Sequence, residues 1–362
     1  MRIGLICPYS LTMPGGVQGQ VLGLARSMRA LGENARVLAP CDGPPPDAGV
    51  TPLGASVPTA ANGSVAPLAP DPSAQLRTIR SLRDEGFDVL HLHEPLCPGP
   101  TQTALLFKSA PMLGTFHAAG DSMSYKYLRP AVRWLARRLD LRCAVSPDAA
   151  ELAGRYLGGD YRPVFNGIEV DRYAKVEPWP TDEPTVFFVG RHEPRKGLDV
   201  LLAAAGRLGP DVRIWAAGDG PDTEALQRRH AGDDRIEWLG RIDDLEKRRR
   251  IRGADVLCAP ALRGESFGVV LLEGMAAQTP VVASDIDGYR NVATHGVDAL
   301  LVPPGDEEAL AAALGDVLAG GTLTAELVAN GQARAETFSM EQLARIYLDL
   351  YRSVAACARS AR

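Results

Sequence analysis

The sequence predicts an α/β protein made of two doubly wound, mainly parallel sheets, and three observations carry that expectation. Short apolar runs such as Ile3–Cys7, Val186–Val189 and Val256–Ala259 alternate with segments of helical period along the chain, the pattern of strands joined by crossover helices. With 362 residues, 46% of them hydrophobic and 23% charged, there is room for two domains of ~150 to 180 residues. Pro178, Pro180 and Pro184 interrupt the alternation and mark a linker. The expected domains are residues 1–178 and 179–338, with residues 339–362 as a C-terminal segment.

Composition narrows the function classes. A net charge of -5 argues against non-specific nucleic-acid binding. No apolar run approaches the ~18 to 20 residues of a membrane span, and a strand begins directly after Met1-Arg2, so a cytoplasmic protein is expected. The six cysteines are scattered without a CxxC pair, which predicts reduced thiols and no zinc site.

The first βαβ unit runs from strand Ile3–Cys7 through a helix from about Val17 to strand Arg36–Ala39. Val17, Val21, Leu24, Met28 and Leu31 form the core stripe of that helix, and Gly32 ends it. The loop before it, PYSLTMPGGVQ, lacks the G-x-G-x-x-G fingerprint, so a nicotinamide cofactor is disfavoured. Gly15 and Gly16 serve either a tight turn or the close approach of a ligand to the backbone. Nine prolines between Pro40 and Pro72 predict an irregular excursion.

Leu76, Ile79 and Leu82 then predict an apolar helix stripe, with Arg77, Arg80 and Arg83 as a basic one. The basic stripe is either a solvated face or a contact with anionic lipid headgroups. His91 and His93 share one face of a strand and are read as structural, since a third metal ligand is missing. His117 follows the end of strand Met112–Thr115, where open α/β sheets bind ligands, although a plain loop histidine fits the position too. A basic helix Tyr125–Arg138 and strand Arg142–Val145 follow.

In the second half, strand Val186–Val189 delivers Arg191 and Lys196 on one loop. Strands Val212–Ala216, Ile236–Leu239, Val256–Ala259, Val281–Ala283 and Ala299–Val302 alternate with helices, and the LEKRRRIR run reads as the wet side of its helix. The stretch Gly264–Ala277, GESFGVVLLEGMAA, is a strand–loop–helix junction whose free N–H groups, around Phe267 to Val270, face an anion at the positive end of the helix dipole. Glu265 and Glu273 flank it: either they face a sugar and a ribose, or they are a dipole partner and a solvated helix residue. Arg191 and Lys196 leave one strand end and can converge on a diphosphate resting on that helix.

The segments GRHEPRKG, NGIEVDRY, GESFGVVLLEGMAA and VVASDIDGYRNV resemble the retaining glycosyltransferases of the GT-B fold, over essentially the whole chain. MRIGLICPYSLTMPGGVQGQV, NGSVA at Asn62–Ala66, DVLHLHEP and GTFHA resemble, more narrowly, the actinobacterial phosphatidylinositol mannosyltransferases. The resemblance implies two Rossmann-like domains facing a central cleft, the first binding the acceptor and the second the nucleotide sugar, with a C-terminal helix over 339–362 crossing back to the first. It implies mannose transfer from GDP-mannose to phosphatidylinositol at the inner face of the membrane by a peripherally associated enzyme, with no tightly bound cofactor. The sequence shows no protein ligand motif for Mg2+, and Asp285-Ile286-Asp287 is discounted as a metal site.

By the same resemblance, Arg191 and Lys196 bind the diphosphate, Glu265 the sugar hydroxyls and Glu273 the ribose. Phe267, Gly268 and Val269 present backbone to sugar and phosphate, Ile242 meets the base, Gly16 closes over the diphosphate, and His117 sits beside the transferring sugar. One position departs from the pattern: Pro67 stands where the family places an arginine for the acceptor phosphate. Either Arg77, Arg80 or Lys126 replaces that cation, or the acceptor differs. The alternative is therefore a retaining enzyme using another nucleotide sugar and a soluble or different lipid acceptor.

Overall fold

A computed structural model of the protein describes residues 1–13, 15–61, 64–117 and 129–360. The chain forms two compact units, Met1–Gly167 together with Met340–Arg362, and Ile168–Ser339. The boundary therefore falls at Gly167 and not after residue 178. The intervening segment is bound to the second unit: helix Val170–Ala174 buries Val170 and Tyr173, and the Trp179 N–H donates to the Arg249 carbonyl at 2.8 Å. The Trp179 ring also lies 4.3 Å from the Arg250 guanidinium. The prolines shape a pinned strap, not a free linker.

In chain order the first unit contains β1 (Arg2–Ile6), β2 (Asn34–Ala39), β3 (Val50–Pro52), β4 (Val57–Ala61), β5 (Ser64–Leu68), β6 (Val89–His93), β7 (Met112–Phe116), β8 (Leu141–Ala144) and β9 (Arg162–Pro163). Seven of these make one parallel sheet in the order β3-β2-β1-β6-β7-β8-β9. The order reverses between β1 and β6, the kind of position at which open α/β sheets bind ligands. Residues 40–72 are not irregular throughout, since β3 joins the sheet and β4 pairs with β5 as an antiparallel hairpin.

Helix Pro72–Glu85 is capped by the Asp71 carboxylate, which accepts from the N–H groups of Ser73 and Ala74. Its buried face is Ala74, Thr78 and Leu82; the expected stripe is rotated, and Leu76 is left 68% exposed. The expected helix Tyr125–Arg138 is described from residue 129 onward, as Arg129–Ala136. Its first residues, Lys126 among them, lie outside the described residues, as do Asn62 and Gly63. Helix Met340–Ser360 lays Leu343, Tyr347 and Tyr351 into the core of this unit with Ile3, Val21 and Leu24.

The second unit holds β10 (Thr185–Val189), β11 (Arg213–Ala217), β12 (Ile236–Gly240), β13 (Val256–Ala259), β14 (Val281–Ser284) and β15 (Leu300–Val302). They form a parallel sheet ordered β12-β11-β10-β13-β14-β15, reversing between β10 and β13. The loops leaving β10 and β13 touch at Gly197, whose φ is +69° and whose absent Cβ would lie 1.9 Å from the Pro260 carbonyl oxygen. Only glycine fits there. Among the described residues no single helix is long and apolar enough to cross a membrane.

Candidate active site

At the reversal point of the second sheet, five charged side chains come together. A short 3-10 turn, Pro194–Lys196, ends with the Lys196 Nζ 2.7 Å from Glu265 Oε1. Arg195 reaches the same oxygen with Nη1 at 3.1 Å and pairs through Nη2 with Glu193 Oε1 at 2.6 Å. Arg191 Nε stands 3.7 Å from Glu193 Oε2, and its side chain is exposed. Three cations thus face two carboxylates, which leaves positive charge for an anionic ligand.

Beside this cluster, Gly268 (φ +94°) is the N-cap of helix Val269–Ala276, which no side chain caps. Its first N–H groups point out of the helix at the positive end of the dipole. Phe267 precedes the helix, and its ring is buried edge-on against Phe338 at 5.6 Å, so only its backbone is placed to meet a ligand. Ile242 is half-buried between β12 and helix Asp244–Gly253.

Glu273 is not a solvated helix residue. Its Oε1 accepts from the Tyr173 hydroxyl at 2.8 Å and the Lys247 ammonium at 2.7 Å. Burial alone would depress the Lys247 pKa, but the Glu273 carboxylate together with Asp244 outweighs it and the net shift is upward. Burial and the same carboxylate push the Tyr173 phenol well up, so it stays a donor. Nor is the LEKRRRIR run wet: Lys247 meets Glu273, Arg252 donates to the Ala277 carbonyl, and Arg250 is buried between the Trp179 and Trp215 rings with Glu246 at 2.9 Å. Asp285 is held by both ends of the Arg290 fork, at 2.6 and 2.8 Å.

In the first unit, Gly15 is the extended N-cap of helix Gly16–Ala30. A Cβ on Gly16 would meet none of the described residues within 4 Å, so their packing does not demand glycine there. His117, at the end of β7, donates its backbone N–H to Glu94 Oε1 at 2.7 Å, and its Nε2 lies 3.0 Å from His93 Nδ1. Burial pushes the His117 imidazole down to about 4 against an opposing hydrogen bond to Asn166, and burial lowers His91 and His93 well below their usual value. The histidines are therefore neutral. His91 is structural: it contacts the Tyr351 hydroxyl at 2.6 Å and Thr115 Oγ1 at 2.7 Å. The half-buried Pro67 accepts the Ser10 N–H at its carbonyl, and Arg77 spends its Nε on the Leu53 carbonyl at 2.6 Å.

Family models match both halves of the chain: Glycosyltransferase Family 4 over residues 14–172 and Glycosyl transferases group 1 over residues 183–320. A phosphatidyl-myo-inositol mannosyltransferase of Mycobacterium leprae is 41% identical over 368 residues, covering 98% of this chain and 97% of its own. The chain belongs to that glycosyltransferase family. The glycosyltransferase is also 39% identical to the protein of the same name from Mycolicibacterium smegmatis, over 98% of this chain and 94% of that one.

Among solved structures it is similar to Anabaena HepE in complex with UDP and glucose (TM-score 0.73, 20% identity, covering 98% of this chain and 100% of that one). Sucrose-phosphate synthase from Thermosynechococcus elongatus is also similar (TM-score 0.75, 22% identity, covering 98% and 99%). Both likenesses bear on the fold alone, and it is the GT-B fold of two Rossmann-like domains.

The geometry of this glycosyltransferase adds residues that motif reading passed over. Lys247 was hidden in a run of surface-like charge, and Tyr173 closes the NGIEVDRY segment without a role of its own. Arg195 directly precedes Lys196, and His93, read as structural, lies 3.0 Å from His117 Nε2 through its Nδ1. Only Arg195 stood next to a chosen residue; Lys247 and Tyr173 carried no local signal, because their partner Glu273 is distant in sequence.

Proposed function

We propose that this glycosyltransferase moves mannose from GDP-mannose to phosphatidylinositol at the cytoplasmic face of the membrane, to which it binds peripherally. One observation carries the donor half: Lys196 and Arg191, with Glu265, stand beside the uncapped helix start at Gly268, where the second sheet reverses. The acceptor half is supported by the full-length similarity to the named mannosyltransferases, and the membrane by exposed Leu76 on the same helix as the exposed Arg80 and Arg83.

In the reaction the bond between the sugar anomeric carbon and the diphosphate oxygen breaks. Arg191, Lys196 and the N–H groups of Val269 and Val270 stabilise the charge that grows on the departing diphosphate. Glu265 orients the sugar hydroxyls, already aligned by Lys196 and Arg195. Glu273 takes the ribose, and Ile242 meets the base through its main chain. The acceptor hydroxyl attacks on the face the diphosphate leaves, which retains the configuration, and its proton passes to a departing phosphate oxygen. Gly16 allows a phosphate to approach the first unit's helix start, and the neutral His117 offers a hydrogen bond to the sugar.

Pro67 favours a second reading in which the acceptor is another lipid or a soluble molecule, because proline brings neither charge nor donor and Arg77 is committed to Leu53. A transfer assay with radiolabelled GDP-mannose, phosphatidylinositol in mixed micelles and a no-acceptor control separates the two. Mannosyl lipid supports the first reading. Donor hydrolysis without lipid product replaces the acceptor, and no consumption of donor removes GDP-mannose.

A further inference from the structure

We propose that Leu106, Phe107 and Trp134 form a second contact with the anionic lipid bilayer, apart from the Pro72–Glu85 helix. This rests on the membrane part of the proposed function. The Arg138 guanidinium ties the end of helix Pro100–Phe107, which carries Leu106 and Phe107, to the Trp134 ring. Arg138 donates from Nε to the Leu105 carbonyl at 2.8 Å and from Nη2 to the Leu106 carbonyl at 3.1 Å, and lies 5.4 Å from the Trp134 ring centroid. Leu106 is 52%, Phe107 40% and Trp134 54% exposed. Large apolar side chains exposed singly are ordinary, whereas exposed ones on two elements bridged by one guanidinium mark an interaction surface.

The backbone holds this corner outward. Helix Pro100–Phe107 stops at Lys108, which takes a left-handed φ of +43° and returns its N–H to the Ala104 carbonyl. An L-residue adopts that conformation only where the surroundings impose it. Leu106 and Phe107 are thereby fixed at the helix end.

Charge selects the occupant. Arg138 and Arg133 direct guanidinium N–H groups to carbonyl oxygens, of Leu105 and Leu106 and of Tyr156, so these bonds do not cancel their charge. Arg137 is exposed, and Lys108 pairs with Asp140 at 3.0 Å. Among the described residues, Arg137, Arg138 and Lys108 with the single carboxylate of Asp140 make a positive locale on a chain whose net charge is -5. A two-fold pairing of this face with a second copy would set like charges opposite each other. A bilayer carrying anionic headgroups instead takes Trp at its interface and lets Arg and Lys extend their heads to the lipid phosphates. Helix Pro100–Phe107 also packs on helix Pro72–Glu85, which carries Leu76, Arg80 and Arg83, so the two contacts lie on neighbouring elements.

The test uses the full chain and vesicles of phosphatidylcholine with about a third phosphatidylinositol, against pure phosphatidylcholine. Co-sedimentation compares wild type, Leu106→Ser/Phe107→Ser/Trp134→Ser, and Leu76→Ser/Arg80→Gln/Arg83→Gln, with melting temperature and light scattering as controls. The expected result is binding weakened at least about tenfold in the first variant with its melt unchanged. Brominated lipids should also quench the fluorescence of wild type more than that of Trp134→Phe, which reads the contact without a disruptive variant. Wild-type binding by the first variant, with equal quenching in wild type and Trp134→Phe, overturns the inference and leaves the Leu76 helix as the membrane contact. A change of oligomeric state without loss of vesicle binding also overturns it, in favour of a protein interface. Failure of wild type to bind vesicles at all removes the membrane reading on which it rests.

Discussion

The Lys247 ammonium lies 2.7 Å from Glu273 Oε1, the oxygen that also accepts the Tyr173 hydroxyl. Both charged side chains are largely buried, 23% and 12% exposed, so Lys247→Met strands a carboxylate and is expected to lower stability by about 1 to 3 kcal/mol. The lysine pKa is raised in the folded state, so its contribution is whole below the unfolded value of about 10.4 and is lost as pH rises through the folded one. Urea unfolding from pH 8 to 11 should show an alkaline loss in wild type that is smaller in Lys247→Met; equal slopes would contradict this.

Lys196→Ala and Glu265→Gln test the transfer site. Each removes one partner of a pair at the reversal point of the second sheet; losing Lys196, which stabilises the leaving diphosphate, costs on the order of 10² to 10³ in turnover, and Glu265→Gln lowers turnover by weakening the acceptor for the sugar hydroxyls. Circular dichroism should be unchanged in both, because neither side chain belongs to the apolar core of this unit. Near-normal kcat in both variants would withdraw the roles assigned to them.

The buried histidines predict acid lability. His91, His93 and His117 have folded pKa values below the unfolded ~6.5, so the unfolded chain binds more protons between that value and the folded ones. Their contribution is complete above about pH 6.5 and drains away as pH falls towards 4. The melting temperature should therefore drop across that interval, and drop less steeply in His117→Asn. A melting temperature independent of pH from 4 to 7 would show that these imidazoles are not neutral in the folded state.

The strand and helix alternation was legible because parallel strands buried on both faces read as unbroken apolar runs, as in Val256–Ala259. The register of helix Pro72–Glu85 was not. Thr78 turns its hydroxyl onto the Ala74 carbonyl at 2.8 Å and so enters the core at little cost, while apolar Leu76 stays outside. The β4–β5 hairpin was hidden by proline, which breaks a central strand but is tolerated where Pro58 and Pro67 face each other in a two-stranded ribbon. Arg191, Lys196, Glu265 and Glu273 could be chosen from loop positions and motifs. Their partners Arg195, Lys247 and Tyr173 depend on long-range placement that no local pattern encodes.

Two glycines at helix starts should respond to alanine in opposite ways. Gly268 has a φ of +94°, and a Cβ there would lie 2.9 Å from Val292 Cγ2, so Gly268→Ala meets both backbone strain and a clash and should cost about 1 to 3 kcal/mol. Among the described residues Gly16 has open space where its Cβ would be and begins a regular helix, so Gly16→Ala should leave the melting temperature equal or slightly higher, by the ~0.4 to 1 kcal/mol expected from a stiffer unfolded chain. If a phosphate uses that open space, Gly16→Ala must still raise the donor KM, because a methyl group then occupies ligand volume. A stable Gly16→Ala with unchanged KM and kcat would return Gly16 to a turn residue and remove it from the substrate site.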